Sequence, residues 1–429
     1  MEPAWIAVIG IIGLFVLMFL RMPISFAMFI IGFLGLLIMS SPVATFNLLS
    51  SEIWTSFSSY TLSVIPMYIL MGEIVFRTGV TVKLFDAAYK WVGQFKGGMA
   101  STTILASAGF ASICGSNTAT AAAMGTMALP ELKKYKYNEA LSTGSVATGG
   151  TLGIIIPPST VLIVIAIQTE QSIRNLFTAS LIPAIFLTVL LFLTVVFLCQ
   201  KNPDYGPAGP KFPLKEKLVS LLGIIPIVLL FIFVIGGLYL GWFTPTESGA
   251  FGAFGAIIIT LAMRQLTWDK FKTAIVSTLK SATMVMALIV GATIFGRFLT
   301  ITRLPFEVAE WVNNLPVPTM VILICILLIY VIGGSIMDAL GFLIISIPIF
   351  FPTVVALGYD PIWFSVLLCV VTSMGAITPP VGVNAFVVQG LSPKTPITTI
   401  FKGAGYFLVT YVIFIVILIL FPQIVLIAL

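Results

Sequence analysis

A chain of 429 residues that is 59% hydrophobic and only 8% charged lacks the polar side chains to cover a water-facing surface, which makes it an integral membrane protein. Apolar segments of roughly 17–25 residues recur from end to end, the length of a bilayer-spanning helix, and the alternating polarity of a membrane β-barrel is absent. The fold class is therefore an all-α polytopic membrane protein, and its net charge of +6 needs no nucleic-acid partner once its distribution is considered.

Several chemistries fall away at once. Histidine is absent, which removes the usual zinc ligand and the usual proton relay. No P-loop pattern occurs, so the chain does not itself hydrolyse ATP through one. Cys114, Cys199, Cys325 and Cys369 lie in apolar surroundings without a C-x-x-C pair and read as small core residues. Paired carboxylates and metal-ligand clusters are missing, so nothing marks a catalytic centre and no organic cofactor is called for.

In chain order, the first apolar helix, Ala4–Leu20, shows no convincing A-x-A-like cleavage site and is expected to be retained. A second helix is expected over 23–39, a loop at Ser41–Glu52, a third helix over about 60–76 and an amphipathic stretch at 80–95. The next apolar run, Met99–Ile113, has about 15 residues, roughly 22 Å of helix, too short for about 30 Å of hydrocarbon. It ends in the small, polar stretch GSNTATAAAMG (Gly115–Gly125), after which the chain returns to the side it came from. This predicts a re-entrant hairpin over about 99–130, a backbone that survives at membrane depth only when buried in protein or lining a wet cavity. Behind it, STGSVATGGTLGIIIPPST (Ser142–Thr160) interrupts a helix expected over about 140–167.

A polar, proline-rich linker, KNPDYGPAGPKFPLKEK (Lys201–Lys217), closes a first unit of residues 1–200, and a second unit of residues 218–429 follows. The order of elements recurs there: helices at 218–240, 245–263 and 282–299, an amphipathic stretch at 303–313, and a short apolar arm, Thr319–Ile332. That arm opens a second hairpin (about 318–352), and a helix over about 361–390 is interrupted within VVTSMGAITPPVGVNA (Val370–Ala385). The amphipathic pieces are either interfacial arms or ordinary loop helices.

Landmarks repeat in order at an offset of about 220 residues, as in an internal duplication. Pro23 matches Pro245, Gly72-x-x-x-Phe76 matches Gly291-x-x-x-Phe295, and Trp91-Val92 matches Trp311-Val312. Gly115-Ser116 matches Gly334-Ser335, and Gly153-x-x-x-Pro157-Pro158 matches Gly375-x-x-x-Pro379-Pro380. Of the 21 Lys and Arg residues, all but Arg174, Arg297 and Arg303 fall on one side, which the positive-inside rule makes cytoplasmic, with both termini outside. Arg77 and its mate Arg297 then lie on opposite sides. The two repeats are expected to be inverted, a design of secondary transporters with cargo and ion sites at the midplane.

The polar tips and the proline breaks are the candidate sites. Freed carbonyls beside Ser or Asn suit a hard cation such as sodium, and half-helix N-termini suit a carboxylate. One cation set is Ser116, Asn117, Gly149 and Gly153; the other is Ser335, Thr372, Gly375 and Thr378. The substrate anion is assigned to Asn117, Thr118, Pro158, Ser159, Asp338, Pro380 and Asn384, with amide donors beside the breaks. Small residues also allow close helix packing, and Gly249, Gly252 and Gly255 are read that way. Asp338, an intramembrane carboxylate, has three roles open to it: ligating a cation, orienting the tip or carrying a proton. Glu73 and Arg77 read as a helix-end ion pair, and Glu139 and Glu247 as carboxylates favouring a helix start.

GSNTATAAAMG, the following LPELKKYKYNEAL and GGTLGIIIPPS, together with TPTESGA (Thr244–Ala250) and GAITPPVGVNAF (Gly375–Phe386), resemble the large membrane subunit of TRAP (tripartite ATP-independent periplasmic) transporters of the DctM/SiaM type. The resemblance covers essentially the whole chain. It implies a sodium-driven importer of an organic acid, of the C4-dicarboxylate or sialic acid class, in the bacterial inner membrane. It also implies two partners, a small four-helix membrane subunit and a soluble periplasmic substrate-binding protein. Ser116-Asn117-Thr118 is similar to the hairpin tip of the divalent-anion–sodium symporter superfamily, whose elevator mechanism the resemblance carries over. The second tip departs from that pattern, running Ser335-Ile336-Met337-Asp338. A single-component sodium- or proton-coupled carboxylate symporter is the rival reading. Ser41–Glu52, Gln168–Arg174 and Glu307–Pro318 are the candidate docking loops for the binding protein.

Overall fold

The structure, a computed structural model, describes residues 3–429. Among them every regular element is a helix. The first part holds α1 (Pro3–Phe19), α2 (Ile24–Met39), α3 (Pro42–Ser58), α4 (Val64–Arg77), α5 (Val80–Val92), α6 (Gly98–Cys114), α7 (Asn117–Lys134), α8 (Glu139–Ile155), α9 (Thr160–Gln168) and α10 (Ile173–Lys201). After the linker come α11 (Leu214–Leu222), α12 (Ile225–Tyr239), α13 (Pro245–Ala262), α14 (Trp268–Ile301), α15 (Leu304–Asn313), α16 (Thr319–Ile336), α17 (Ala339–Ala356), α18 (Pro361–Gly375), α19 (Val383–Leu391), α20 (Ile397–Leu420) and α21 (Gln423–Leu426).

Six of these helices (α10, α13, α14, α16, α17 and α20) are long and apolar enough to cross a bilayer unaided. Three bent pairs raise the number to nine among the described residues: α3 with the 61–77 segment at 52°, α8 with α9 at 41°, and α11 with α12 at 58°. The chain is a multi-pass membrane protein.

Four sequence expectations change here, the first being the short arm Thr319–Ile332, which runs on to Ile336 as α16 and, like α17, is long and apolar enough to span. Ser41–Glu52 is not a loop: Ser41 accepts from the Ala44 amide and Pro42 opens α3, a Ser cap with proline at the first helical position. The single helix expected over 218–240 is two, because Gly223 and the nearby Pro226 allow the chain to turn before α12. α14 also begins earlier than expected. Its 34 residues span about 51 Å, so its first turns project beyond the hydrocarbon.

Packing crosses between the two parts of the chain. α2 lies along α14 and α13 along α4, and glycine sets both distances. A Cβ on Gly32 would sit 2.8 Å from the Phe295 backbone nitrogen, and one on Gly291 would sit 2.5 Å from the Ser25 carbonyl oxygen. Gly252 meets Met71 and Gly255 meets Leu230, as the packing reading of that glycine run expected. The second arms exchange likewise: α7 packs on α19 and α17 on α9.

The core is the pair of interrupted helices. α8 is buried from Ala140 to Ile155, and α18 from Trp363 to Ser373. α8 and α20 touch backbone to backbone, since a Cβ on Gly403 would lie only 1.8 Å from the Ala140 carbonyl oxygen. Thr151 and Tyr411 bond across the same seam at 2.5 Å.

The linker is pinned rather than loose. The Gly97 amide donates to Gly206 O and the Gly209 amide to Gly93 O. The Tyr137 hydroxyl donates to Pro207 O at 2.7 Å and accepts from the Met99 amide at 3.1 Å, and burial pushes this phenol up to about 12.

Candidate cation and carboxylate site

α6 ends at Gly115, which takes the left-handed conformation (φ 61°) that releases the chain into the first tip. Ser116 then caps α7 by accepting from the Ala119 amide. The tip is seated on the break between α8 and α9. The Gly115 carbonyl accepts from the Thr160 amide and hydroxyl at 3.3 and 3.1 Å. A Cβ on Gly115 would lie 2.3 Å from Pro158 O, and one on Gly153 would lie 2.5 Å from Ser116 O. Only glycine permits this approach.

The break follows from proline chemistry. Pro157 and Pro158 supply no N–H to the carbonyls one turn back, those of Gly153 and Ile154. The Ser159 hydroxyl serves Ile154 O instead, at 2.6 Å, and also accepts from the Leu162 amide at 3.5 Å. Ser159 is buried and both its functions are used, so it joins α8 to α9 and caps α9. The Gly153 carbonyl has no donor among the described residues. It lies where Ser116 and Asn117 abut α8, an oxygen of the kind a hard cation takes. Gly149 sits one turn earlier and faces α6, where its Cβ would lie 2.4 Å from Ser107 Oγ.

The second tip is built differently. Ser335 lies in the last turn of α16, and Asp338 caps α17 by accepting from the Leu340 amide at 3.2 Å. The position that Ser116 holds in the first tip therefore falls to Asp338. Gly375 still seats the tip, because its Cβ would be 2.7 Å from the Gly334 carbonyl carbon. Unlike the first break, this one closes its own carbonyls. Gly375 O accepts from the Thr378 amide at 2.9 Å and Ala376 O from the Asn384 amide at 3.0 Å. The Thr372 and Thr378 hydroxyls donate back to Leu368 O and Met374 O.

The expected amide donors beside the breaks are also largely engaged. Thr160 N bonds Gly115 O, while Val381 N and Gly382 N both bond Ser335 O at 3.0 Å. Each tip carbonyl docks into the start of its own half-helix, taking the place assigned to a carboxylate. Pro158 is buried, whereas Pro380 is exposed.

What remains open for a polar guest lies between α7, α8 and α19. Asn384 is buried and donates through Nδ2 to Ala147 O at 3.1 Å, but its Oδ1 has no partner. Buried Asn117 Nδ2 also lacks one. A Cβ on Gly150 would touch both Ala121 of α7 and Asn384 Nδ2, at 2.6 and 2.9 Å, so the three helices converge here. Thr118 is half-buried, its Oγ1 3.4 Å from Ser116 Oγ. Buried polar atoms without partners are costly, and an unpaired donor on α7 and an unpaired acceptor on α19 mark these helices as a place for a polar ligand. Sequence reading missed the Ala147 carbonyl and Gly150. Their signal was the run from Ser142 to Thr151, in which small and hydroxyl residues dominate a wholly buried helix.

The family model for the DctM component of the tripartite ATP-independent periplasmic transporter matches residues 11–424. The chain belongs to this family. It is 32% identical over 377 residues to the C4-dicarboxylate TRAP transporter large permease protein DctM of Pseudomonas aeruginosa, with 88% of each chain covered. It is 27% identical over 420 residues to the sialic acid TRAP transporter large permease protein SiaM of Vibrio cholerae, with 96% of each covered. The YdaH transporter of Alcanivorax borkumensis has the same fold, with a TM-score of 0.63 at 15% identity over 90% of this chain and 91% of that one. The protein is a TRAP transporter large permease subunit, and these relatives are permeases rather than enzymes.

Proposed function

We propose that this permease subunit couples inward sodium movement to import of an organic acid. The acid is handed over by a soluble periplasmic binding protein and moved with a small four-helix membrane partner. The observation that carries the reading is the first tip on its break: Gly153, whose carbonyl has no donor, abuts the Ser116 and Asn117 backbone, and Asn117 Nδ2 and Asn384 Oδ1 are buried without partners. Sodium at Ser116, Asn117 and Gly153 would fix the tip against α8, so that cargo binding at Asn117, Thr118 and Asn384 orders less chain and in turn tightens sodium. The second cation set, Ser335, Thr372, Gly375 and Thr378, has fewer free oxygens, and Asp338 stands beside it.

The exchanged packing of α2 on α14 with α13 on α4, and of α7 on α19 with α17 on α9, supports two inverted repeats. The hairpins (α6–α7 and α16–α17) and the interrupted helices (α8–α9 and α18–α19) form the body that moves in an elevator step against the other helices. The termini lie on the periplasmic side of the inner membrane. Relatives named for C4-dicarboxylates and for sialic acid bracket the cargo class.

Thermal unfolding of the purified subunit across a sodium titration, with potassium at matched ionic strength, tests this. Sodium alone is expected to stabilise, rising logarithmically above its dissociation constant to about 2.7 kcal/mol at 100-fold that value. Equal effects of the two ions would remove the sodium sites and turn attention to proton coupling through Asp338.

A further inference from the structure

A cavity of about 740 Å³ opens beneath the candidate site. It lies between the lower half of α7 (Gly125, Leu129, Lys133), the start of α8 (Glu139, Ser142, Thr143) and the loop joining α19 to α20 (Ser392, Lys394, Thr395). Its position relative to the site is fixed by the α7–α19 seam. Asn117 and Asn384 stand at one end of that seam, and Gly125 and Leu391 at the other. A Cβ on Gly125 would lie 2.5 Å from Leu391 Cδ1, so the Leu391 side chain crosses the seam at the edge of the cavity, which both residues line. Two lysines and one carboxylate line the space. That carboxylate, Glu139, is held by the Thr395 hydroxyl, which also bonds Ser392 Oγ at 2.8 Å. Thr126, Ser142 and Thr143 add further hydroxyls.

We propose that this cavity is a second anion site, a release vestibule in which Lys133 and Lys394 hold the carboxylate of the cargo after it passes Leu391. The volume admits a whole organic acid. One surplus positive charge suits one carboxylate, because a second would face Glu139. The hydroxyl-bearing lining suits a cargo that carries hydroxyls of its own. The cargo is therefore a hydroxylated monocarboxylate rather than a dicarboxylate. This rests on the transport reading above.

The test is protection of a single thiol. In the full chain with Cys325, which is exposed, changed to Ser, Thr126→Cys is labelled with a membrane-impermeant maleimide. Gluconate, succinate or chloride is present at equal ionic strength. Gluconate is expected to slow labelling at least threefold more than chloride does, with or without sodium, and succinate to act like chloride. Lys133→Gln with Lys394→Gln should abolish the protection, and Glu139→Gln should extend it to succinate. Equal protection by all three anions, or protection that survives loss of both lysines, overturns the vestibule. Asn117→Ala separates the two readings. If it abolishes sodium stabilisation and leaves gluconate protection, the sites are distinct as proposed; if gluconate protection disappears with it, the separate site does not exist.

Discussion

Gly153→Ala is the sharpest perturbation of the tip–break contact. The new methyl carbon would lie 2.5 Å from Ser116 O, 2.6 Å from Ser116 C and 2.9 Å from Asn117 N, all backbone atoms. Ordinary contact begins near 3.4 Å, so the tip must retreat by about 0.9 Å. Overpacking of this kind costs about 1–3 kcal/mol, against a gain of about 0.4–1 kcal/mol from a stiffer unfolded chain. The net loss is about 0–2.6 kcal/mol. Oxygen–cation distances tolerate about 0.2 Å of error, so the same retreat should weaken sodium at least tenfold, or about 1.4 kcal/mol. The assay is the sodium midpoint, taken as the dissociation constant fitted to the rise of thermal stabilisation with sodium, measured beside two controls. Gly296→Ala meets nothing within 4 Å and should stabilise α14 by about 0.5–1 kcal/mol. Gly149→Ala meets Ser107 Oγ and Cβ at 2.4 and 2.9 Å, so it strains the α6–α8 contact but does not touch the tip, and it should leave the sodium midpoint within about twofold, less than 0.5 kcal/mol. A Gly153→Ala protein with an unchanged sodium midpoint would refute the placement of the cation.

Three further outcomes are expected. Asn384→Ala removes the donor to Ala147 O and the orphaned Oδ1, and should cut uptake in reconstituted vesicles by at least tenfold while sodium stabilisation persists. Tyr137→Phe leaves the buried Met99 amide without its acceptor and Pro207 O without its donor, costing about 1–3 kcal/mol. Trypsin cleavage at Lys211 should then run several-fold faster, and an unchanged rate would mean that the linker is held elsewhere. Thr244→Ala breaks the box in which Thr244 Oγ1 caps the Glu247 amide and Glu247 returns to the Thr244 amide. Its cost is about 1 kcal/mol, read as a lowered unfolding midpoint.

The sequence by itself determined the environment, the helical class and the places where helices fail. Composition excluded water as the solvent for most of the surface, and hydrocarbon admits only backbone that bonds to itself. Pro157-Pro158 and Pro379-Pro380 removed backbone donors and so placed the two breaks, and the small, polar stretch from Gly115 marked where the first short arm ends. Those consequences are local, within one turn of the residue concerned, and a linear reading captures them. Only the tertiary structure decided which freed groups stay free. The Gly153 carbonyl is left open and its counterpart at Gly375 is closed, because the segment after the second break turns back onto it. The half-helix N-termini looked ready for a carboxylate, yet the tip carbonyls of Gly115 and Ser335 fill them. Asn384 reaches Ala147 across 237 residues of sequence, and Asp338, not Ser335, caps the second arm. Such pairings depend on where separate helices meet, and glycine spacing permits those meetings without specifying the partner.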